Sequence, residues 1–181
     1  MIARTTIEAA VIAWLAGETG LSVVLANQGR PMHGRPCATI KMASFLHQGQ
    51  DQRLALTDPG APAYASQRLH GCRSVTISIN IYGAGALDLA RAAADSLAKE
   101  TVKDAFSTAG IASVAGAPDV LDLTELLNTS YEERGQFDAV FFLGEEYTDS
   151  VPLIEHVSGT GTFEAPEGHA VESITFEADK P

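Results

Sequence analysis

Sulfur, imidazole and positive charge are all scarce in this chain, and each shortage narrows what it can do. The two cysteines, Cys37 and Cys72, lie far apart and no basic, apolar leader precedes them. No disulfide framework or secretory signal is therefore expected, and both read as reduced thiols of a cytoplasmic protein. The five histidines, His33, His47, His70, His156 and His169, show no i,i+4 pair and no Cys or Asp at metal-ligand spacing, which argues against a zinc site. Lysine and arginine number 12 against 23 acidic residues, for a formal net charge of −11. A surface that binds nucleic acid by counterion release needs the opposite balance. The one basic cluster, Arg30 and Arg35 with Lys41 nearby, reads as a solvated loop. No run approaches the ~20 apolar residues of a membrane span, the Thr5–Leu15 stretch being too short, so a soluble chain is expected. Repeats and low-complexity tracts are also missing, which sets aside solenoids and disordered scaffolds.

Apolar residues are present in quantity: 45% of 181 suffices for one domain with a core, or one domain plus a tail. The clearest signal is the block Arg73–Ala109, where the hydrophobic period changes once. Val75, Ile77, Ile79 and Ile81 alternate with Thr76, Ser78, Asn80 and Tyr82, which predicts a half-buried strand. After Gly83, Ala84 and Gly85 the apolar residues Leu87, Ala90, Ala94, Leu97, Thr101, Ala105 and Phe106 recur at threes and fours, which predicts a helix lying on the sheet.

The remaining elements follow from the same patterns. Ile7, Ala10, Val11, Trp14 and Leu15 form the stripe of a first helix, with Thr5 or Thr6 as its N-cap and Gly17 and Gly20 at its end. Leu21–Ala26 reads as a short strand, Asn27–Pro36 as a loop, and Cys37–Leu46 as the partner of the Arg73–Tyr82 strand. His47–Ser66, polar and carrying Pro59, Gly60 and Pro62, reads as a long loop, of the kind that serves function or is disordered. Gly110 stops the second helix, Ile111–Val114 is a short strand, and Pro118–Leu127 a connecting loop with a turn of helix. Within Asn128–Tyr147 the apolar centre Phe137–Leu143 predicts a central strand or hairpin arm, followed by a short strand at Val151–Val157. Ser158–Pro181, rich in Gly, Glu and Pro, reads as an acidic tail that orders only against a partner.

A glycine-punctuated turn from strand to helix is also where dinucleotide-binding enzymes cradle pyrophosphate. Here the third small position is Asp88, which puts a carboxylate where phosphate charge would sit, and no second βαβ strand ending in an acid follows. The glycines read instead as turn residues, with Asp88 as a helix-start carboxylate. No serine lies in a Gly-x-Ser-x-Gly elbow, neither cysteine has an activating motif, and Glu132/Glu133 and Glu145/Glu146 are adjacent strand residues facing opposite ways, unable to share a proton. No catalytic, cofactor-binding or metal-ligating residue is expected.

The element order, with Val24-Leu-Ala-Asn27-Gln28 before a Pro-rich loop, Val75-Thr-Ile-Ser-Ile-Asn-Ile-Tyr-Gly83 running into a Leu87-Asp-Leu-Ala helix, and Asp122-Leu-Thr-Glu-Leu-Leu-Asn128-Thr-Ser-Tyr-Glu-Glu-Arg134, resembles neck or tail-terminator proteins of tailed bacteriophages over Ile2–Val157. The resemblance implies an α+β fold: a mostly antiparallel twisted sheet covered by two helices, with a long hairpin loop; the acidic C-terminal tail lies outside it. It divides the chain into a tail-terminator-like domain, 1–157, and an extension, 158–181. It further implies a homo-oligomeric ring, usually a hexamer, assembled in the host cytoplasm at the head-proximal end of the tail. That ring would end tube polymerisation and meet the tail tube protein, the neck or connector protein and, in a contractile tail, the sheath. DNA would pass through its lumen without specific binding, and no cofactor or membrane would be involved. The competing readings are another tube-completion or baseplate adaptor protein, and a small nucleotide-binding enzyme.

Overall fold

A computed structural model describes residues 2–27, 34–57, 64–113, 117–127, 130–153, 156–164 and 170–179. The chain is α+β, with a mostly antiparallel sheet and three helices. In order they are α1 (Arg4–Thr19), β1 (Ser22–Leu25), β2 (Cys37–Thr57), β3 (Tyr64–Tyr82), α2 (Ala86–Ser96), α3 (Glu100–Thr108), β4 (Ile111–Ser113), β5 (Leu121–Asp122), β6 (Glu125–Leu127), β7 (Ser130–Glu132), β8 (Arg134–Pro152), β9 (His156–Glu164) and β10 (Ala170–Asp179). The main sheet runs β1-β2-β3-β8-β4, with β5 pairing β8 beyond the end of β4, while β6–β7 and β9–β10 form two-stranded sheets of their own. β1 lies parallel to β2, with Ser22 opposite Cys37, and β4 is antiparallel to β8, with Ile111 opposite Leu143.

Two compact units divide the chain: Met1–Gln52 with His70–Glu146, and Arg53–Leu69 with Tyr147–Pro181. The first holds the core. On β3 the residues Val75, Ile77, Ile79 and Ile81 are all buried, and on β8 so are Phe137, Ala139, Phe141 and Leu143. The same periodicity that makes each a strand therefore supplies one apolar face, and Ile7, Val11, Trp14, Leu15, Ala90, Ala94, Val102 and Phe106 of the helices close over it. Aromatic rings join the layers: Trp14 sits 5.7 Å from Phe106 and edge-on to Phe137 at 6.5 Å, and Phe106 lies 4.9 Å from Phe141.

α1 ends as its sequence dictates, at Gly20 in the left-handed conformation with its N–H donating to the Ala16 carbonyl at 2.8 Å. Its start differs. The N-cap is Ala3, without a side-chain hydrogen bond, and Thr5 and Thr6 lie inside the first turn. Gly17 is within the helix rather than at its end.

The second expected helix is two. It breaks at Leu97–Lys99 although no glycine or proline is there, and Lys99 adopts extended geometry before α3 begins. At the break the buried Ser96 hydroxyl donates to the Ala93 carbonyl at 2.7 Å and accepts from the Trp14 indole N–H at 3.0 Å, while Leu97, Ala98 and Lys99 bond three residues back instead of four. α3 then turns Val102 and Phe106 inward, leaving Thr101 and Ala105 exposed.

Three further segments depart from their sequence reading. Of the expected loop His47–Ser66, residues 47–57 and 64–66 are strand, the continuations of β2 and β3, and 58–63 lie outside the described residues. A ribbon exposed on both faces carries no apolar alternation, so its polar sequence is indistinguishable from a loop. Pro118–Leu127 has no turn of helix; it contains β5 and β6. β8 continues to Pro152, where a separate strand had been expected from Val151, and within the expected acidic tail β9 and β10 pair as a hairpin.

Candidate functional site

The Gly83–Ala84–Gly85 turn is the place where a ligand would bind if the chain were a nucleotide enzyme. Both glycines have positive φ, 101° and 75°, and a Cβ on Gly83 would stand 3.0 Å from Cα of Pro36, so only glycine fits. The turn is already filled. The Gly83 N–H donates to the Glu133 carbonyl at 3.0 Å and the Gly85 N–H donates to Glu133 Oε2 at 2.6 Å. The chain thus places its own carboxylate at the amino end of α2, with Asp88 in the first helical turn beside it. A phosphate arriving there would meet two negative charges instead of free amide donors.

The Glu132-Glu133-Arg134 segment spends its polar groups internally. Glu132, half-buried, ion-pairs with Arg35, so the basic cluster expected around Arg30, Arg35 and Lys41 does not act as one: Arg35 is engaged, Lys41 is exposed and Arg30 lies outside the described residues. Arg134 donates through Nε and Nη2 to Asn80 Oδ1, at 3.2 and 2.8 Å, and its guanidinium stands 5.3 Å from the centre of the Tyr82 ring. One residue pair on, Gln136 Nε2 donates to Ser78 Oγ at 3.2 Å. These residues bind β8 to β3 across the polar face of the sheet. Of the Asn27-Gln28 pair, Asn27 takes a left-handed turn conformation (φ 64°) and Gln28 lies outside the described residues.

A charge cluster that the sequence reading missed sits where β2, β3 and β8 run side by side. Arg73, almost wholly buried, donates from Nη1 and Nη2 to the two oxygens of Asp51, each at 2.7 Å, and its Nε lies 3.5 Å from the buried Glu145 carboxylate. Gly71, on the same face two residues before Arg73, makes the room: a Cβ there would overlap both the Asp51 carboxylate and the Arg73 guanidinium. The available signal was an isolated glycine in a strand next to an arginine. The arrangement is a polar clamp among three strands.

A groove of about 600 Å³ lies between α1 and α3, lined by Ala10, Trp14, Val102 and Phe106. Its one ionised wall residue, Glu18, is held by Lys99 Nζ at 2.7 Å. Among the described residues no three His, Cys, Asp or Glu side chains gather as a ligand set. His47, His70 and His156 are exposed, and His33 and His169 lie outside the described residues. Cys72 is exposed and Cys37 buried, both free; burial pushes the Cys37 thiol up, with the Arg35 guanidinium pulling it partly back. Asp122, which caps its own turn, is held below the usual carboxylate range by hydrogen bonds from the Thr124 hydroxyl and N–H. Among the described residues no helix is long and apolar enough to cross a membrane.

What distinguishes the surface is exposed apolar side chains on strands: Leu46, Leu56 and Tyr64 on β2 and β3, and Phe163, Ile174 and Phe176 on β9 and β10 are each about half exposed or more. These are surfaces suited to contact with other proteins. No curated protein sequence matches the chain. The family model of the phage neck terminator protein matches residues 5–165, nearly the whole described chain. The chain belongs to the phage neck terminator protein family and is a structural protein of the phage tail and neck.

Proposed function

We propose that this chain closes into a ring at the head-proximal end of a phage tail, where it ends polymerisation of the tail tube and joins the tail to the neck. The observation that carries this reading is the family match across residues 5–165. The structure supports it in kind: the Gly83–Gly85 turn is filled by Glu133, and apolar side chains stand exposed on the strands. Function then resides in assembly surfaces, not in an active site. A closed ring needs heterologous contacts, each subunit offering two different patches. The outer halves of β2 and β3, with Leu56 and Tyr64 exposed, supply one of them toward a neighbour or the tube. The net charge of −11 suits a bore through which DNA passes without binding. Assembly takes place in the host cytoplasm and the product resides in the virion.

The test has two parts. Negative-stain images and native mass of the purified chain are expected to show one closed ring, and a phage with this gene disrupted is expected to make tails of irregular length that do not join heads. Normal, head-joined tails from the disrupted phage would overturn the reading. The double substitution Leu56→Ser with Tyr64→Ser probes the ribbon without touching Asp51, on which Arg73 depends; rings and tails unchanged by it would exclude the ribbon as a contact.

A further inference from the structure

We propose that the β9–β10 hairpin is a docking element for a basic protein surface bearing an apolar patch, and not an interface between copies of this chain. The inference takes the phage neck setting from the family and is independent of ring closure.

The hairpin register sets Val157, Gly159, Gly161 and Phe163 opposite Ala178, Phe176, Ile174 and Glu172, with a register shift just before Glu172. Residues directly opposite share a face, so one side of the ribbon carries Val157, Phe163, Ile174, Phe176 and Ala178, with Glu172 at its end. The first four are 45, 58, 48 and 55% exposed. The other side pairs Ser158, Thr160 and Thr162 with Glu177, Thr175 and Ser173, and the Thr160 and Thr175 hydroxyls meet at 3.3 Å. The apolar side is built, not incidental. A Cβ on Gly159 would come within 2.7 Å of the Phe176 ring, so the glycine lets that ring lie across its own ribbon. Two-stranded hairpins are marginal in water without a covered face, and a contiguous apolar stripe of this kind marks an interaction surface.

Charge selects the occupant. Residues 147–181 carry seven carboxylates against one lysine, a net of −6. The same segment of a second copy would bring its own −6 to a hairpin-to-hairpin contact. Like charges at a rim repel, whereas a basic rim around an apolar patch gains from both halves of the hairpin's character.

Particles purified from the encoding phage with this gene disrupted provide the probe, and retention of the full-length chain on them is read by sedimentation at increasing salt. Wild type is expected to bind, with retention falling about tenfold as salt screens the rim contacts. Phe163→Ser with Phe176→Ser is expected to lower retention more than about tenfold while the oligomeric size stays that of wild type. Fluorescence of the single, buried Trp14 verifies that the core remains folded. Glu177→Lys leaves the apolar face intact and is expected to weaken retention and flatten its salt dependence. Retention of both variants equal to wild type would overturn the proposal, as would a change in oligomeric size caused by the Phe substitutions, which would make the hairpin a contact between copies. The first outcome leaves ring formation by the purified chain untouched, and the second would place the hairpin within it.

Discussion

Arg73 is a full charge placed inside a sheet, and its environment determines what each neighbouring residue is worth. Asp51→Ala removes the bidentate partner of a buried guanidinium that also faces Glu145 and donates to the Cys72 carbonyl. The expected loss is about 3–5 kcal/mol in urea unfolding. Gly71→Ala thrusts a methyl into the same pair and should cost about 1–3 kcal/mol. Because both changes act on one cluster, the double variant is expected to cost less than the sum, and additivity would show that Gly71 serves some other purpose. The cysteines separate by burial in the same way. A thiol reagent should label Cys72 at once and Cys37 only on unfolding, since burial raises the Cys37 thiol and withholds its thiolate. Above the unfolded thiol pKa, about 8.5, unfolding releases a proton that the native state holds, so stability falls as pH rises. Cys37→Ala should remove that part of the slope, read from urea midpoints on either side of pH 8.5.

At the scale of elements, α2 is positioned by contacts from β8 and its approach. Glu133 accepts from the N–H of Gly85, the N-cap residue, from 48 residues away, and Gly135 lets the helix settle onto the strand, a Cβ there meeting the Ala86 carbonyl at 2.7 Å and Ala90 Cβ at 2.8 Å. Glu133→Ala is expected to cost about 0.5–2 kcal/mol. Gly135→Ala should cost about 1–3 kcal/mol because the obstacles are helix backbone and a short side chain that cannot swing away. Ile79→Ala, at a fully buried position of β3, should cost about 2–5 kcal/mol. A change below half a kcal/mol at Ile79, measured by chemical denaturation, would mean that the β3 face is assigned wrongly.

For the whole molecule, acidity and apolar strands act together. A chain of net −11 has little to offer a polyphosphate, so retention of duplex DNA in a mobility shift at low salt is expected to be negligible. Tight binding would require a concentrated basic bore and would overturn the reading of a passive conduit. The exposed apolar residues on β2, β3, β9 and β10 are the counterpart of that passivity, because a neck protein works by the surfaces it buries in its neighbours.

The sequence by itself determined the core strands and first helix, since Val75–Ile81 and Ile7–Leu15 have one buried face each and periodicity records that directly. It also carried the family, through element order and the segments around Asn80 and Arg134, and it argued against a nucleotide site from Asp88 and from the lack of a second βαβ strand. Tertiary structure decided the rest. At the break between α2 and α3 the Trp14 indole reaches Ser96, 82 residues away, a contact that no local propensity encodes. The capping of α2 by Glu133 and the pairing of Asp51, Arg73 and Glu145 bring charges together across strands, so spacing along the chain carries no trace of them. The ribbon of β2 and β3 and the β9–β10 hairpin escaped notice for a related reason. Strands with little buried face are specified by their partner's backbone, and the pairing exists only once the chain has folded.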